Sequence, residues 1–342
     1  MSDRVIGPAQ RTEEKEAEKS LRPKALSDFI GQERIKDSLS ITLQAARQRG
    51  EASDHLLFAG PPGLGKTTLA GIVAQEMDSK LHITSGPSLD KASDLAGILT
   101  SLGEGDVLFI DEIHRLPRIV EEFLYSAMED FRLDIVLDSG PTSRSVNLPL
   151  KKFTLIGATT RAGMLTSPLR ARFGIEFRLE VYNKEEILAI LNRSSKLLDL
   201  SIEPAAGNIL EPCCRGTPRI ANRILRRCRD VAQVLEHEEI NSTVVSRTLD
   251  MLGIDQDGLD EMDRNILKCI VQKFDGGPVG LQTLGAALGE ESETIEEVYE
   301  PFLIQQGYIK RTSRGRVATR SSWTKLGFEP PMTQKDSQTS LL

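Results

Sequence analysis

The sequence predicts an α/β protein with three parts: a P-loop domain built on a parallel sheet, a small helical lid-like domain and a C-terminal winged helix. Residues 60–67 have the pattern of a phosphate-binding loop, between a strand-like run and a helix-like run. From residue 21 to 182, short apolar runs alternate with helix-like stretches, which is typical of a parallel sheet covered by helices. Residues 254–328 contain three helix-like segments and then two strand-like ones, the order of a winged helix.

Length and composition indicate a water-soluble protein of several domains. The 342 residues are too many for one ordinary core, and 39% hydrophobic with 27% charged residues is typical of globular chains. No apolar run reaches the ~18 residues of a membrane span, and the N-terminus lacks a signal-peptide pattern. Cys213, Cys214, Cys228 and Cys269 have no metal-ligand spacing. A cytoplasmic protein with reduced thiols and no membrane partner is therefore predicted.

The domain boundaries follow from changes in composition and periodicity. We expect a disordered charged segment at 1–20, the sheet domain at 21–182, the helical domain at 183–253, the winged helix at 254–328 and a flexible tail at 329–342. The helical domain shows no convincing strand. The five predicted strands of the sheet domain are His55–Ala59, Leu81–Thr84, Val107–Asp111, Phe153–Ala158 and Ile175–Leu179.

The loop at residues 60–67 matches G-x-x-x-x-G-K-[ST] at every fixed position. Backbone N–H groups at the start of the following helix bind phosphate oxygens, and Gly63 and Gly65 let the backbone come close to them. Lys66 adds a positive charge, and the hydroxyl of Thr67 is a ligand that suits Mg²⁺. The loop predicts binding of a nucleoside triphosphate together with Mg²⁺.

A second chemical element is the strand at 107–111, which ends in Asp111 and is followed by Glu112. Successive side chains of a strand point to opposite faces, so the two carboxylates have different roles. Asp111 is suited to hold Mg²⁺ through water, and Glu112 to orient and polarise the attacking water. With the loop, this pair predicts hydrolysis of the triphosphate.

Hydrolysis also requires positive charge or hydrogen-bond donors near the γ-phosphate. Thr159 and Thr160 end a buried strand, and either hydroxyl can contact the γ-phosphate or the water. Arg170 and Arg172 are placed to project from the edge of a subunit toward a neighbour's nucleotide. Arg219 follows Pro218 in the first turn of a helix and can close over the same phosphates. Ordinary strand-end threonines and surface arginines remain the alternative.

Residues 131–150 predict a β-hairpin inserted between two strands of the sheet. The first half alternates apolar and polar residues, and the turn-forming run 138–141 precedes a returning strand. A hairpin inserted there has no purpose for the sheet domain itself, and its apolar residues, Ile135, Val136, Leu137 and Val146, are candidates for exposed positions. Packing of the hairpin on its own domain is the alternative.

Charge is strongly separated within the predicted winged helix. Residues 290–300 contain six acids and no base, whereas residues 301–328 contain six bases and no acid. The basic half includes the hairpin, so Arg311, Arg314 and Arg316 are predicted to contact DNA phosphates. No aromatic platform or Asn/Gln cluster accompanies them, so we expect contact without sequence readout. A solvated or protein-binding wing is the alternative.

The ordered motifs together resemble one family. Over residues 20–328 the chain resembles the AAA+ ATPases and, among them, the RuvB family of Holliday-junction branch-migration motors. The motifs that carry the resemblance are Gly60–Thr67, Leu108–Arg115, Gly157–Arg161, Ser167–Gly174, Gly216–Asn222 and Lys310–Arg316. The resemblance implies an ATP- and Mg²⁺-dependent DNA translocase that acts as a homohexameric ring on duplex DNA at four-way junctions. It also implies that hairpin 131–150 binds RuvA through exposed Ile135, Val136, Leu137 and Val146. The resolvase RuvC and a role in recombination, repair and the SOS response are implied as well.

The resemblance also implies roles for individual residues. Thr159 would be sensor one, where many AAA+ relatives have asparagine, and Arg219 would be sensor two. Arg172 would be the arginine finger that acts in trans, with Arg170 as the second choice. The remaining implied nucleotide contacts are Leu21, Arg22, Gly63, Lys66, Thr67, Thr68, Tyr182 and, at the subunit boundary, Glu129, Asp130 and Phe131.

Two other AAA+ classes compete with this interpretation. A clamp-loader subunit would carry a helical collar in place of the winged helix at 254–328. A protein unfoldase would carry an aromatic pore loop, for which Ser85-Gly86-Pro87-Ser88 is a poor substitute.

Overall fold

The computed structural model describes residues 21–136 and 145–330, which fall into two compact units. The first unit comprises the chain to Glu203 together with Gly216–Glu239, and the second comprises Pro204–Arg215 and the chain from Ile240 onward. The helical segment between the sheet and the winged helix is thus shared between the two units. The predicted disordered segment 1–20 and the tail beyond residue 330 lie outside the described residues.

The first unit is built on a five-stranded sheet whose order is β2-β3-β6-β1-β7. All four of its strand pairs are parallel. The strands in chain order are β1 Leu56–Ala59, β2 Leu81–Ser85, β3 Val107–Asp111, β4 Arg132–Val136, β5 Ser145–Pro149, β6 Thr154–Thr159 and β7 Ile175–Arg178. β1 and β6 are buried along their whole length, as expected of strands covered on both faces. The predicted parallel sheet is confirmed.

Helices connect these strands and complete the helical segment. In chain order they are α1 Glu33–Arg49, α2 Lys66–Glu76, α3 Ala92–Ser101, α4 Arg118–Asp130, α5 Ser167–Arg170, α6 Lys184–Leu197, α7 Pro204–Cys213, α8 Pro218–Val234 and α9 Ser242–Leu252. Asn183 and Glu186 form a capping box at α6, and Pro218 occupies the first turn of α8. Within the described residues, no helix is long and apolar enough to cross a membrane.

The helical segment also contains two short strands, contrary to the prediction. They are β8 Ser201–Ile202 and β9 Glu239–Ile240. A strand of two residues is too short to produce the alternation by which a strand is recognised in sequence.

The predicted hairpin is present. β4 and β5 pair antiparallel, with Leu133 opposite Leu148 and Ile135 opposite Val146. The side chain of Leu133 is fully buried in the core of the first unit, so the base of the hairpin packs on its own domain. Leu137 lies outside the described residues, as do the side chains of Ile135, Val136 and Val146. Their predicted exposure therefore stays a prediction.

The second unit contains the predicted winged helix. Its elements are α10 Glu261–Lys268, α11 Leu281–Leu288, α12 Ser292–Thr294, α13 Glu300–Gln305, β10 Ile309–Thr312, β11 Gly315–Ala318 and α14 Arg320–Lys325. β10 and β11 pair antiparallel to form the wing. Five-residue π-helical segments continue α10 and join α12 to α13, where the sequence predicted plain helix. The apolar core includes Ile266, Leu284, Phe302 and Ile309.

Arg215 joins the end of α7 to the winged helix within the second unit. Its guanidinium donates to Asp263, 2.5 Å away, and to the carbonyl oxygen of Gly258, 2.7 Å away. It also lies 4.2 Å from the centre of the Phe302 ring. The side chain of Asp263 is fully buried, so its charge has been removed from water.

Replacing Arg215 with alanine should destabilise the second unit by about 3–5 kcal/mol, because the Asp263 carboxylate would remain buried without its partner. Urea unfolding followed by tryptophan fluorescence measures this, since Trp323 belongs to the same unit. The control is the double variant Arg215→Met with Asp263→Leu, which removes both charges and should recover most of the loss. A loss below about 1 kcal/mol in the single variant would contradict a buried ion pair.

Candidate active site and nucleic-acid interface

One pocket of the first unit gathers most of the predicted nucleotide-binding residues. It lies at the carboxyl edge of the sheet, where the loop after β1 and the end of β3 come together because the strands are parallel. The predicted residues that line it are Leu21, Arg22, Gly63, Gly65, Lys66, Thr67, Thr68, Asp111, Glu112, Tyr182 and Arg219. Leu21 and Arg219, which are 198 positions apart in sequence, therefore share one cavity.

Sequence reasoning missed several residues that complete this pocket. They are Pro23, Asp28, Phe29, Ile30, Pro62, Leu64, Ile190, Arg193, Ser194, Pro218 and Asn222. Arg193 of α6 donates to the carbonyl oxygen of Leu21, 2.8 Å away, and so holds the segment of the implied nucleotide contacts Leu21 and Arg22. Apart from those inside the recognised motifs, these residues carry no local pattern. Only folding shows that they line a site.

The phosphate-binding loop needs glycine for two separate reasons. Gly63 and Gly65 have φ angles of 82° and 108°, in the left-handed region that other residues avoid. A Cβ atom on Gly63 would also lie 2.8 Å from Thr217 Cγ2, and one on Gly65 would lie 3.0 Å from the ring of Phe29. Larger residues would therefore both strain the loop and collide with the wall of the pocket.

Lys66 is held inside the loop. Its ammonium group donates to the carbonyl oxygens of Gly60 and Pro61, at 2.7 and 2.9 Å. Burial lowers the pKa of Lys66, whereas Asp111 and Glu112 act in the opposite direction. A buried cation at the start of α2 is suited to bind phosphate oxygens.

Asp111 and Glu112 are directed differently by the backbone. Glu112 has a φ of 49°, a left-handed conformation that is unusual for a residue with a side chain. Its N–H donates to Asp111 Oδ1, 3.0 Å away. Asp111 and Thr67 line the same pocket, which fits a Mg²⁺ ion held by a hydroxyl, a carboxylate, water and phosphate oxygens. Among the described residues, no group of three His, Cys, Asp or Glu side chains forms a metal site of its own.

The two strand-end threonines have different environments. Thr160 donates to Glu112 Oε2, 3.3 Å away. Thr159 is fully buried, and its hydroxyl lies 2.9 Å from Nδ1 of His114, which in turn lies 3.4 Å from Glu112. Thr160 therefore contacts the carboxylate predicted to orient water, whereas Thr159 acts on it through His114, a residue that sequence reasoning did not select.

Tyr182 and Arg219 both contact the phosphate-binding loop from the helical segment. The Tyr182 hydroxyl donates to the carbonyl oxygen of Leu64, 3.0 Å away, and its N–H donates to Gly216 O, 2.9 Å away. Burial raises the pKa of Tyr182, which keeps the hydroxyl protonated. The N–H of Arg219 lies 3.4 Å from Gly63 O. Tyr182 and the first turn of α8 therefore both contact the backbone of the phosphate-binding loop.

Arg172 and residues 129–131 do not line this pocket. Arg172 forms an ion pair with Glu129, with 3.1 Å between Nη2 and Oε2, whereas Arg170 is bound by both carboxylate oxygens of Glu176. Asp130 pairs with Arg132 at 3.1 Å, and the ring of Phe131 packs on Phe153 in the interior. The structure thus brings Glu129 and Arg172 together on a different part of the first unit.

Two of the three predicted DNA-binding arginines are engaged within the winged helix. Arg311 and Arg316 bind Glu300, at 2.8 and 2.9 Å, and Arg311 also binds Glu296 at 2.6 Å. Glu300 is only 2% exposed, so this cluster holds the wing on α13. Arg314 lies in the exposed turn of the wing and forms no ion pair with any described residue. The separated charges of the sequence partly neutralise each other in the fold.

The parallel sheet, the phosphate-binding loop, the Asp111–Glu112 pair and a helical segment that supplies Arg219 define a P-loop ATPase of the AAA+ class. Three family models match the chain in order: "Holliday junction DNA helicase RuvB P-loop domain" at 21–179, "RuvB AAA lid domain" at 182–255 and "RuvB C-terminal winged helix domain" at 256–327. The chain belongs to the RuvB family. The winged helix at the C-terminus also disfavours the clamp-loader alternative.

Known relatives agree with this assignment. The RuvB subunit of the Holliday junction branch migration complex of Prosthecochloris aestuarii is 56% identical over 342 residues, covering 98% of this chain and all of that protein. The same subunit of Chlorobium luteolum is 59% identical over 303 residues, covering 89% of this chain and 88% of that protein. A solved structure of the Thermotoga maritima RuvB branch migration motor is 52% identical with a TM-score of 0.84, covering 91% of this chain and all of that one. The resemblance stated from the sequence is confirmed.

Proposed function

We propose that this protein is an ATP-driven motor that moves the branch point of four-way DNA junctions during recombination and repair. The observation that carries the proposal is that one chain joins the nucleotide pocket around Lys66 and Glu112 to a winged helix, in the order of the three RuvB family models. The names of the relatives, which describe Holliday-junction branch migration, support the choice of DNA substrate.

In the proposed reaction the phosphates of ATP bind the backbone N–H groups of the loop, with Lys66 neutralising their charge. Thr67 and Asp111 would hold Mg²⁺, which supplies further positive charge to the phosphates. Glu112 orients and polarises the attacking water. Thr159 is the proposed sensor one, and Thr160, whose hydroxyl contacts Glu112 directly, is the second candidate for that role. Arg219 senses the nucleotide from α8, next to Gly63.

The position of Arg172 supports a ring. Because Arg172 does not line the pocket of its own chain, it serves in our proposal as a finger for the nucleotide of a neighbouring subunit. Glu129, Asp130 and Phe131 belong to the same boundary. We propose a homohexameric ring around duplex DNA that binds RuvA through hairpin 131–150, cooperates with RuvC, acts in the cytoplasm and takes part in the SOS response.

The wing supplies a testable difference between two arginines. Replacing Arg314 with alanine should weaken DNA binding and lower the slope of log K against log salt by about one, because one phosphate contact is lost. Replacing Arg316 should instead destabilise the winged helix, because buried Glu300 loses a partner. Fluorescence anisotropy at several salt concentrations and thermal unfolding of both variants measure these effects. An unchanged slope for Arg314→Ala would remove that residue from the DNA interface.

The function is tested by ATP-driven dissociation of a synthetic four-way DNA junction, with and without purified RuvA. Glu112→Gln is the control, since it keeps the pocket but removes the carboxylate that orients water. We expect dissociation that depends on RuvA and is lost in Glu112→Gln. ATP hydrolysis without any junction processing would show that the nucleotide chemistry is right and the proposed substrate is wrong.

A further inference from the structure

Tyr125 supports the guanidinium of Arg172, although no sequence motif includes it. The Arg172 guanidinium carbon lies 4.2 Å from the centre of the Tyr125 ring. In its own plane the guanidinium donates to Pro168 O at 2.7 Å and to Glu129 at 3.1 Å. A cation over an aromatic face is attracted by the ring without using any N–H group. Tyr125 therefore contacts Arg172 through the flat face of the guanidinium and occupies none of its N–H groups.

The Tyr125 ring is itself fixed by a buried carboxylate. Its hydroxyl donates to Glu121 Oε1 at 2.5 Å, and the hydroxyl of Thr166 donates to the same oxygen. Burial and the bond to Glu121 raise the pKa of Tyr125, so the hydroxyl remains a donor. Thr166 also caps α5 by accepting from the N–H of Leu169, 3.3 Å away. One carboxylate thus fixes both the ring under Arg172 and the start of the short helix that leads to it.

An arginine finger that serves a neighbouring subunit has to exchange its hydrogen-bond partner. In the isolated chain Nη2 of Arg172 is bound to Glu129, and Nε is buried without a hydrogen-bond partner. To stabilise charge on a phosphate, the guanidinium must exchange the carboxylate of Glu129 for phosphate oxygens. The attraction of the ring does not depend on which oxygen lies in the plane, so it persists through that exchange.

We propose that Tyr125, anchored by Glu121, is a positioning residue that holds the Arg172 guanidinium in the orientation in which it reaches the nucleotide of a neighbouring subunit. The proposal rests on the proposed trans role of Arg172. It assigns to α4 a part in catalysis that is separate from the pocket of its own chain, since neither Tyr125 nor Glu121 lines that pocket.

The first test compares two replacements of Tyr125. Tyr125→Leu removes the aromatic face and should lower kcat for ATP about tenfold, with the Kd for nucleotide unchanged. Tyr125→Phe keeps the face and loses only the hydroxyl anchor, so it should retain more than about a third of kcat. Steady-state hydrolysis and equilibrium nucleotide binding give the two quantities separately. An unchanged kcat in Tyr125→Leu, or an equal loss in Tyr125→Phe, would overturn the proposal.

Mixed rings separate a positioning effect from general damage. A Tyr125→Leu subunit keeps an intact pocket, and a Glu112→Gln subunit keeps an intact finger beside an inactive pocket. Mixing the two should give more ATP hydrolysis than the sum of the separate proteins, because the intact finger serves the intact pocket in trans. The reference mixture is Arg172→Ala with Glu112→Gln, which should recover in the same way.

The two mixtures distinguish failure of the Tyr125 proposal from failure of the proposed trans role of Arg172. If the reference mixture recovers and the Tyr125→Leu mixture does not, Tyr125 acts on its own pocket or on folding, and the proposal is wrong while the proposed function stands. If neither mixture recovers, the trans role of Arg172 fails, and the positioning role of Tyr125 fails with it.

Discussion

A Lys66→Ala chain should hydrolyse ATP at least about a thousand times more slowly than the parent protein. Lys66 supplies the cation that lies deepest in the phosphate-binding loop, where low exposure strengthens its attraction for phosphate oxygens. Alanine removes that charge and leaves the carbonyl oxygens of Gly60 and Pro61 without their donor, so phosphates would meet exposed negative dipoles. Both binding and turnover should therefore fall.

The measurement is steady-state phosphate release together with nucleotide binding at equilibrium. Lys80→Ala is a matched control, because Lys80 is an exposed lysine of the same unit outside the pocket, and its rate should be unchanged. A Lys66→Ala rate within about tenfold of the parent rate would contradict the P-loop assignment, because Lys66 would then contribute little to turnover.

Replacing Arg172 with alanine should lower kcat for ATP about a thousandfold while nucleotide binding stays near the parent value. An arginine supplied across a subunit boundary stabilises charge in the transition state, and its loss costs about 10³–10⁵ in kcat. Binding should be preserved because Arg172 does not line the pocket of its own chain. The effect should appear only in assembled rings, so kcat is measured in the presence of duplex DNA and RuvA.

Arg170→Ala decides between the two neighbouring arginines. Arg170 is bound by both oxygens of Glu176 on β7, an exposed pair of low energetic value. Its replacement should change kcat less than about threefold. A large loss in Arg170→Ala together with normal hydrolysis in Arg172→Ala would reverse the assignment of the finger.

Much of the site was predictable because its motifs are contiguous. The loop from Gly60 to Thr67 and the strand that ends at Asp111 contain their chemistry within a few residues, so each can be read from the sequence alone. The environments of Thr159 and Thr160 could not be read from the sequence in this way. Which of the two hydroxyls contacts Glu112 depends on the alternation and burial at the end of β6.

In the winged helix, the sequence predicted the segregation of charge, but only the fold shows which charged side chains are paired. The acidic run before residue 301 and the basic run after it indicated a basic surface for DNA. In the fold, Arg311 and Arg316 turn to Glu300, which has been removed from water and requires a counter-charge. Net charge in a sequence segment does not report which side chains are already paired.

The sequence by itself determined the class of the protein, the five strands of the sheet, the nucleotide chemistry and the family, because periodicity and phosphate-binding motifs are local properties of the chain. Only the tertiary structure decided that Phe29, Arg193 and Asn222 line the pocket, that Thr160 contacts Glu112, and that Tyr125 lies under Arg172. These contacts join residues that are far apart in sequence. Tertiary packing sets the distances in these contacts, and no local sequence pattern encodes that packing.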